Sequence, residues 1–272
     1  AQNLRTYPLQ KIIEEIKRRK EEYGISSFTI ADDCFTLDKK RVYEFCELIT
    51  PLKIAWRANS RANLVDLNLL KAMKASGCHL VAFGLESGDE ETLRRIKKGV
   101  SLKHNIEAPW LAYEAGLEVY GCMMTGFPWE KPENVENNIK FIHQVWDAVS
   151  LFQVSGSLMP FPGSEIYREF AKEYGFEKYW LKPEYQRTGI QIYQNILNPL
   201  SVSTFYQRYL FDDTYIQKEY FFSYSPEYKA KVREMVWEIG RHNLLFMFPN
   251  QPLKQKMILG LSRLSMLGYD LF

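Results

Sequence analysis

Short apolar runs of strand length alternate with amphipathic helical stretches from residue 8 to about residue 174, and few folds accept that order. The runs SSFTIA, LKIAWRA, HLVAFGL, LEVYGCMM and AVSLFQVSG read as strands. Around them KKRVYEFCELI, LNLLKAMKASG, ETLRRIKKG, HNIEAPWLAYEAG, PENVENNIKFIHQVW and SEIYREFAKEYG carry helical periodicity. Strands that alternate with helices predict βαβ units and a parallel sheet. Gly24, Gly77, Gly116 and Gly175 stand just past helix ends, where a left-handed backbone favours glycine.

A helix at residues 8–24, with Leu9, Ile12, Ile13 and Ile16 at helical spacing, leads this series with no strand before it. Right-handed βαβ connection places each helix after a strand, so a sixth strand is expected ahead of it. The expected class is therefore α/β: a partial TIM-type (β/α)6 barrel lacking its first strand, with a helical C-terminal appendage. Residues 1–175 make the barrel in this reading and residues 176–272 the appendage. The appendage begins with an aromatic cluster (Phe176, Tyr179, Trp180, Tyr185, Tyr193) and continues in helical stretches near 203–221, 226–247 and 252–268. Packing of the appendage onto the barrel and a dedicated ligand pocket are both open uses for these rings.

Composition excludes several classes. The 35 basic and 33 acidic residues leave a formal charge of +2, without a block of like charge, so neither nucleic acid nor an anionic membrane surface is expected as a partner. The late apolar stretch MILGLSRLSMLGYDLF is broken by Arg263, and the N-terminus has no apolar signal-peptide core. No transmembrane segment is expected, and a cytoplasmic location is. Cys34, Cys46, Cys78 and Cys122 are scattered without CxxC or CxxxC spacing, as for reduced thiols outside any metal motif.

In parallel βα architectures, function collects at the C-terminal ends of the strands. Asp32 and Asp33 follow the first run; Arg57, Asn59, Ser60 and Arg61 follow LKIAW; Glu86, Ser87 and Gly88 close the third. Thr125, Gly126, Phe127, Pro128 and Glu130 follow the fourth, and Pro160, Phe161, Pro162 and Gly163 the fifth. Each signal also has a plain structural meaning. The aspartates suit a helix N-cap, the arginines suit rim ion pairs, Glu86 suits a cap for the next helix, and the Gly-Pro pieces suit turns. Together they suit a zwitterionic, ribose-bearing ligand: carboxylates for an ammonium group, arginine for a carboxylate, Glu and Ser for hydroxyls.

The strings IADDCFTLDKKRV, WRANSRAN, GCHLVAFGLESGDEETLRRIKKGVS, GCMMTGFPWEKPENV and MPFPGSEIY, in that order, resemble the radical S-adenosylmethionine enzymes over about residues 8 to 170. The resemblance is greatest to the branch whose members usually carry an upstream cobalamin-binding domain, alongside anaerobic magnesium-protoporphyrin ester cyclases and hopanoid methylases. GLESG followed by L-x-x-I-x-K-G is its most specific piece.

That resemblance implies S-adenosylmethionine as ligand. Asp32 and Asp33 would meet its methionine amino group, Ser60 and Arg61 its carboxylate with Arg57 nearby, and Glu86 and Ser87 its ribose. The Gly126 to Glu130 turn would flank the adenine, and Pro160 to Gly163 would form the last strand end. Trp129 and Lys131 depart from the family's usual glycine and threonine. The resemblance also implies a 4Fe-4S cluster on a CxxxCxxC loop between the first strand and first helix, a motif these residues lack. The expectation is a chain beginning after that loop, inactive alone. Within a longer protein it implies generation of a 5′-deoxyadenosyl radical, or methyl transfer with cobalamin, on an unidentified substrate. A large porphyrin-like or lipid-like molecule suits the aromatic appendage, and a flavodoxin or ferredoxin would serve as electron donor. A silent scaffold or S-adenosylmethionine-binding module, and a barrel holding a hard divalent metal through Asp32, Asp33 and Glu86, are the competing readings.

Overall fold

The computed structural model describes residues 6–158, 160–174, 222 and 224–252. In chain order the elements are α1 (Leu9–Tyr23), β1 (Ser27–Ile30), α2 (Lys39–Ile49), β2 (Ala55–Ser60), α3 (Leu67–Ala75), β3 (Cys78–Glu86), α4 (Glu90–Arg95) and α5 (Leu102–Glu114). They continue with β4 (Glu118–Thr125), α6 (Pro132–Gln144), β5 (Leu151–Ser157), α7 (Glu165–Phe170) and α8 (Pro226–Met247).

The five strands form one sheet in sequential order. β1 pairs with β2, β2 with β3, and β3 with β4, all parallel. β5 runs beside β4 in the same sense, because the Ser150 N–H bonds to the Val119 carbonyl at one end and the Leu158 N–H to the Thr125 carbonyl at the other. This is the α/β order expected from the alternation of runs. Gly24, Gly77 and Gly116 close their helices at φ of 65°, 103° and 78°. The aromatic cluster 176–193, the helical stretch 203–221, residues 253–268 of the last stretch and Gly175 lie outside the described residues.

Two compact units divide the chain: Ala1–Met123 with Lys140–Gln153, and Met124–Ile139 with Val154–Phe272. In the first unit, successive side chains of β3 alternate. Val81, Phe83 and Leu85 are fully buried, whereas Ala82, Gly84 and Glu86 point to the other, half-exposed face. β4 repeats the pattern, with Val119 and Met123 buried and Tyr120 and Cys122 half-exposed. One face of the sheet is therefore the core.

At the centre of that core, Phe35, Phe45 and Trp56 meet edge to face with centroids 5.3 to 5.6 Å apart. Such pairs add about 0.5–1.5 kcal/mol each beyond simple burial. The buried indole satisfies its one donor through a 3.1 Å bond from Trp56 Nε1 to the Ser76 carbonyl. α2 and α3 start on aspartates, Asp38 accepting the Arg41 N–H and Asp66 the Leu69 N–H.

In the second unit, Ala171 and Phe222 form a small core with Leu158, Ile166, Tyr167, Phe170 and Tyr224. Phe222 meets Phe170 and Tyr174 edge to face at 5.7 and 5.0 Å. Ser225 caps α8 by accepting the Tyr228 N–H at 3.1 Å.

Candidate functional site

The ends of β1, β2 and β3 bring one set of predicted residues onto the first unit. Asp32 and Asp33 follow β1 and are exposed. Their carboxylates do not cap α2; Asp38 does. Asn59 Nδ2 donates to the Asp32 carbonyl at 3.1 Å, tying the two strand ends together.

β2 runs further than the expected run LKIAWRA, to Ser60, so Asn59 and Ser60 join Arg57 inside the strand rather than follow it. The two-residue period separates them. Arg57 and Asn59 share the exposed face, and Ser60 points into the core. Arg57 Nε donates to the Thr29 hydroxyl at 2.9 Å. The Ser60 hydroxyl bonds within the protein to Thr36 Oγ1 at 2.5 Å. Arg61 is exposed. Among the described residues neither arginine forms an ion pair, and the Arg57 guanidinium is instead bonded to the Thr29 hydroxyl.

Glu86, the last residue of β3, has φ of 62°, a left-handed conformation unusual for a residue with a side chain. The ladder to β4 shifts register between Gly84 and Glu86. Lys98, which follows α4, donates to the Gly84 carbonyl at 2.8 Å and to Glu86 Oε1. The two charged side chains are 18% and 19% exposed, a half-sheltered ion pair. Gly84 makes room for it, since a Cβ there would collide with Lys98 Nζ and lie 2.7 Å from Glu86 Oε1.

Ser87 is fully buried, and its hydroxyl accepts the Asp89 N–H at 3.1 Å. Asp89, not Glu86, caps α4 through the Thr92 N–H. From α5, buried Asn105 donates to both the Leu85 and Ser87 carbonyls, at 2.7 and 3.1 Å, and clamps the strand end from behind. Lys98 and Asn105 were not among the predicted site residues. Lys98 was visible only as a letter in L-x-x-I-x-K-G; nothing local marks Asn105.

The second unit holds the other set. Gly126 follows β4 at φ of 85° and opens a turn to Glu130. Glu130 Oε2 accepts three donors: the Gly126 N–H at 2.8 Å, the Phe127 N–H at 3.2 Å and the Tyr228 hydroxyl at 2.7 Å. Gly126 N–H also bonds to the Tyr228 oxygen at 2.8 Å, while the Tyr224 hydroxyl donates to the Gly126 carbonyl at 2.6 Å. Burial, with the Glu130 charge beside it, pushes the Tyr228 hydroxyl well above the usual phenol range, so it stays a donor. Trp129, the departure from glycine, stacks on Phe127 with centroids 5.2 Å apart. Pro160 is buried, and Gly163, at φ of 90°, gives its carbonyl to Arg168.

A family model described as the Radical SAM superfamily matches residues 2–142, more than half of the chain. The chain belongs to the Radical SAM superfamily.

Radical SAM membership agrees with the relatives. An uncharacterized methyltransferase of Pyrococcus horikoshii is 36% identical over 165 residues, covering 60% of this chain and 35% of that protein. Cytidylyl-2-hydroxyethylphosphonate methyltransferase of Streptomyces wedmorensis is 28% identical over 208 residues, 73% of this chain and 37% of that one. Anaerobic magnesium-protoporphyrin IX monomethyl ester cyclase of Cereibacter sphaeroides is 26% identical over 179 residues, 62% of this chain and 29% of that one. The chain thus spans about a third of the curated relatives it matches.

Among solved structures, the radical S-adenosylmethionine methyltransferase TsrM from Kitasatospora setae superposes with a TM-score of 0.56 at 17% identity. The overlap is 62% of this chain and 34% of that one, and it reflects the shared fold. Superfamily membership implies S-adenosylmethionine and a 4Fe-4S cluster. Among the described residues no three His, Cys, Asp or Glu side chains gather to hold a metal ion. Burial pushes the Cys78 and Cys122 thiols up to about 12 and about 11, which disfavours the thiolate a metal needs. No helix among those residues is long and apolar enough to cross a membrane.

Proposed function

We propose that this chain is the S-adenosylmethionine-binding part of a radical enzyme that acts on an organic small molecule. The observation that carries the reading is Glu86: a carboxylate held in a left-handed backbone at the end of β3 by Lys98 and the side-chain-free Gly84, within the family-matched segment. Strain of about 1–3 kcal/mol at such a position persists where the surroundings enforce it, commonly at ligand sites.

The donor set fits the ligand's chemistry. Asp32 and Asp33, both exposed, would take the ammonium group, and Arg61, with Arg57 as the nearby second cation, the carboxylate. Glu86 Oε2, left over by the Lys98 bond to Oε1, would accept a ribose hydroxyl. Ser60 and Ser87, whose hydroxyls are already bonded inside the protein, shape the strand ends rather than reach outward. The Gly126 to Glu130 turn and the Pro160 to Gly163 segment carry the adenine-side assignment.

A 4Fe-4S cluster, whose ligands in this reading come from residues other than the described ones, would supply the electron that splits the sulfonium into methionine and a 5′-deoxyadenosyl radical. The chain's own residues bind and orient the sulfonium ligand and keep its ammonium and carboxylate paired with fixed counter-charges. Two of these relatives are named methyltransferases and one a magnesium-protoporphyrin ester cyclase, which favours methyl transfer or ring closure; cobalamin held by a domain beyond these residues, and a porphyrin-like or lipid-like substrate, belong to the same proposal. A flavodoxin or ferredoxin as donor and a cytoplasmic setting belong to the same proposal.

Titration calorimetry of S-adenosylmethionine into the chain tests it, with Glu86→Gln as comparison. Saturable binding that Glu86→Gln weakens at least tenfold supports the reading. Binding indifferent to Glu86 overturns the ribose assignment, and no binding to the chain or to the cluster-reconstituted full-length protein leaves the scaffold alternative.

A further inference from the structure

We infer that Tyr228 is a positioning residue: through its hydroxyl, the C-terminal helix α8 fixes the backbone of the Gly126–Glu130 turn in the shape that meets the nucleoside part of the ligand. The inference rests on the adenine-side assignment proposed above and adds the residue that governs it.

A tyrosine in the first turn of a helix needs no hydroxyl to pack. Burying one without partners costs about 1–3 kcal/mol, so phenylalanine would serve better if the ring alone mattered. The Tyr228 side chain is nevertheless buried, 4% exposed, and its hydroxyl is bonded on both sides. It donates to Glu130 Oε2 at 2.7 Å and accepts the Gly126 N–H at 2.8 Å.

The turn has reason to need this. Gly126 has no side chain to hold it and sits at φ of 85°, a conformation that glycine leaves as readily as it enters. Four backbone groups of the turn are spent on internal bonds: the Gly126 N–H and carbonyl, the Phe127 N–H, and the Phe127 carbonyl, which accepts the Glu130 N–H at 3.0 Å. A flat base therefore meets the turn's shape rather than those groups, and the shape is what must be held.

Both backbone groups of Gly126 are held from the start of α8. Tyr228 takes the N–H side and Tyr224 the carbonyl side, and the two rings stack with centroids 4.8 Å apart. Ser225 fixes the helix start between them by accepting the Tyr228 N–H. Lys231, one turn further on, pairs with Glu136 of α6 at 2.7 Å, a second tie between α8 and the element that follows the turn.

The test is Tyr228→Phe in the full chain, which deletes one oxygen and keeps the stacked ring. Two readouts are taken: calorimetric binding of 5′-deoxyadenosine, and amide hydrogen exchange of Gly126 and Phe127 by mass spectrometry of the Met124–Lys131 peptide. The expected result is a Kd for 5′-deoxyadenosine raised about tenfold, faster exchange at both amides, and a melting midpoint within a few degrees of the parent. Unchanged binding and exchange would overturn the inference and leave Tyr228 as packing. If exchange quickens while neither protein binds 5′-deoxyadenosine, the tie to the turn stands and the adenine-side assignment fails. Should Tyr228→Phe not fold, Tyr224→Phe, which removes the bond to the Gly126 carbonyl, carries the same expectation at smaller size.

Discussion

The Lys98 ammonium fills the space that a Cβ on Gly84 would need, and from that place it bonds to the Glu86 carboxylate. Replacing either residue disturbs the pair. Lys98→Met leaves a half-sheltered carboxylate without its counter-charge, at an expected cost of about 2 kcal/mol, between the values for exposed and buried pairs. Gly84→Ala presses a methyl against the ends of the Lys98 and Glu86 side chains, which can swing aside, so a smaller loss than for Lys98→Met is expected in stability and in S-adenosylmethionine binding. Urea midpoints and calorimetry check both, and a Gly84→Ala protein indistinguishable from the parent would show the crowding to be of no consequence.

Asn105 stands behind the same strand end, its amide shared between the Leu85 and Ser87 carbonyls. Asn105→Ala removes the amide donor from the Ser87 carbonyl and leaves the Leu85 carbonyl with the Ser87 N–H, and a loss of about 1–3 kcal/mol is expected. Asn105→Asp should do worse, because it sets an acceptor against those carbonyls. A denaturation series ordered parent, alanine, aspartate checks the account; an aspartate variant as stable as the parent contradicts it.

The aromatic triad sets the stability of the first unit. Phe45→Ala removes a ring that touches both Phe35 and Trp56, and about 3–5 kcal/mol of loss is expected. Trp56→Phe keeps most of the volume but leaves the Ser76 carbonyl without its indole donor. Chemical denaturation followed by circular dichroism separates the two, with the larger shift for Phe45→Ala.

The thiols give the protein an alkaline limit. Burial raises Cys78 from an unfolded value of 9.0 to about 12, and Cys122 to about 11. A folded pKa above the unfolded one means that the native state holds its proton longer, so stability is intact below pH 9 and falls as pH climbs from 9 toward 12. Urea midpoints between pH 8 and 11 should decline, and the decline should lessen in Cys78→Ala relative to its own value at pH 8. At pH 8 iodoacetamide should label half-exposed Cys34 well before Cys78.

Much of the fold was legible because its signal is local. α2 covers the eleven residues whose periodicity marked it, and α8 covers 226–247 as its pattern indicated. The parallel sheet followed from the order of elements alone. What stayed hidden depends on partners. Several aspartates near a helix start compete for the cap, and sequence cannot say that Asp38 wins over Asp32 and Asp33 or that Asp89 replaces Glu86. β2 was read as ending early because Asn59 and Ser60 are polar, yet Ser60 finds Thr36 inside the core. Tyr228 and Gly126 are separated by 102 residues, and periodicity reports which face a side chain shares, never which distant hydroxyl it meets.

Residue 86 serves two masters with opposite tastes. Its backbone, at φ of 62°, would be most comfortable as glycine, while its carboxylate is what Lys98 engages. Alanine is therefore the wrong blank at this position, since it keeps the strain and loses the charge. Glycine relieves the backbone as it erases the carboxylate, at the expense of the Lys98 pair, and is therefore the less strained blank against which the proposed role of Glu86 in binding S-adenosylmethionine is calibrated.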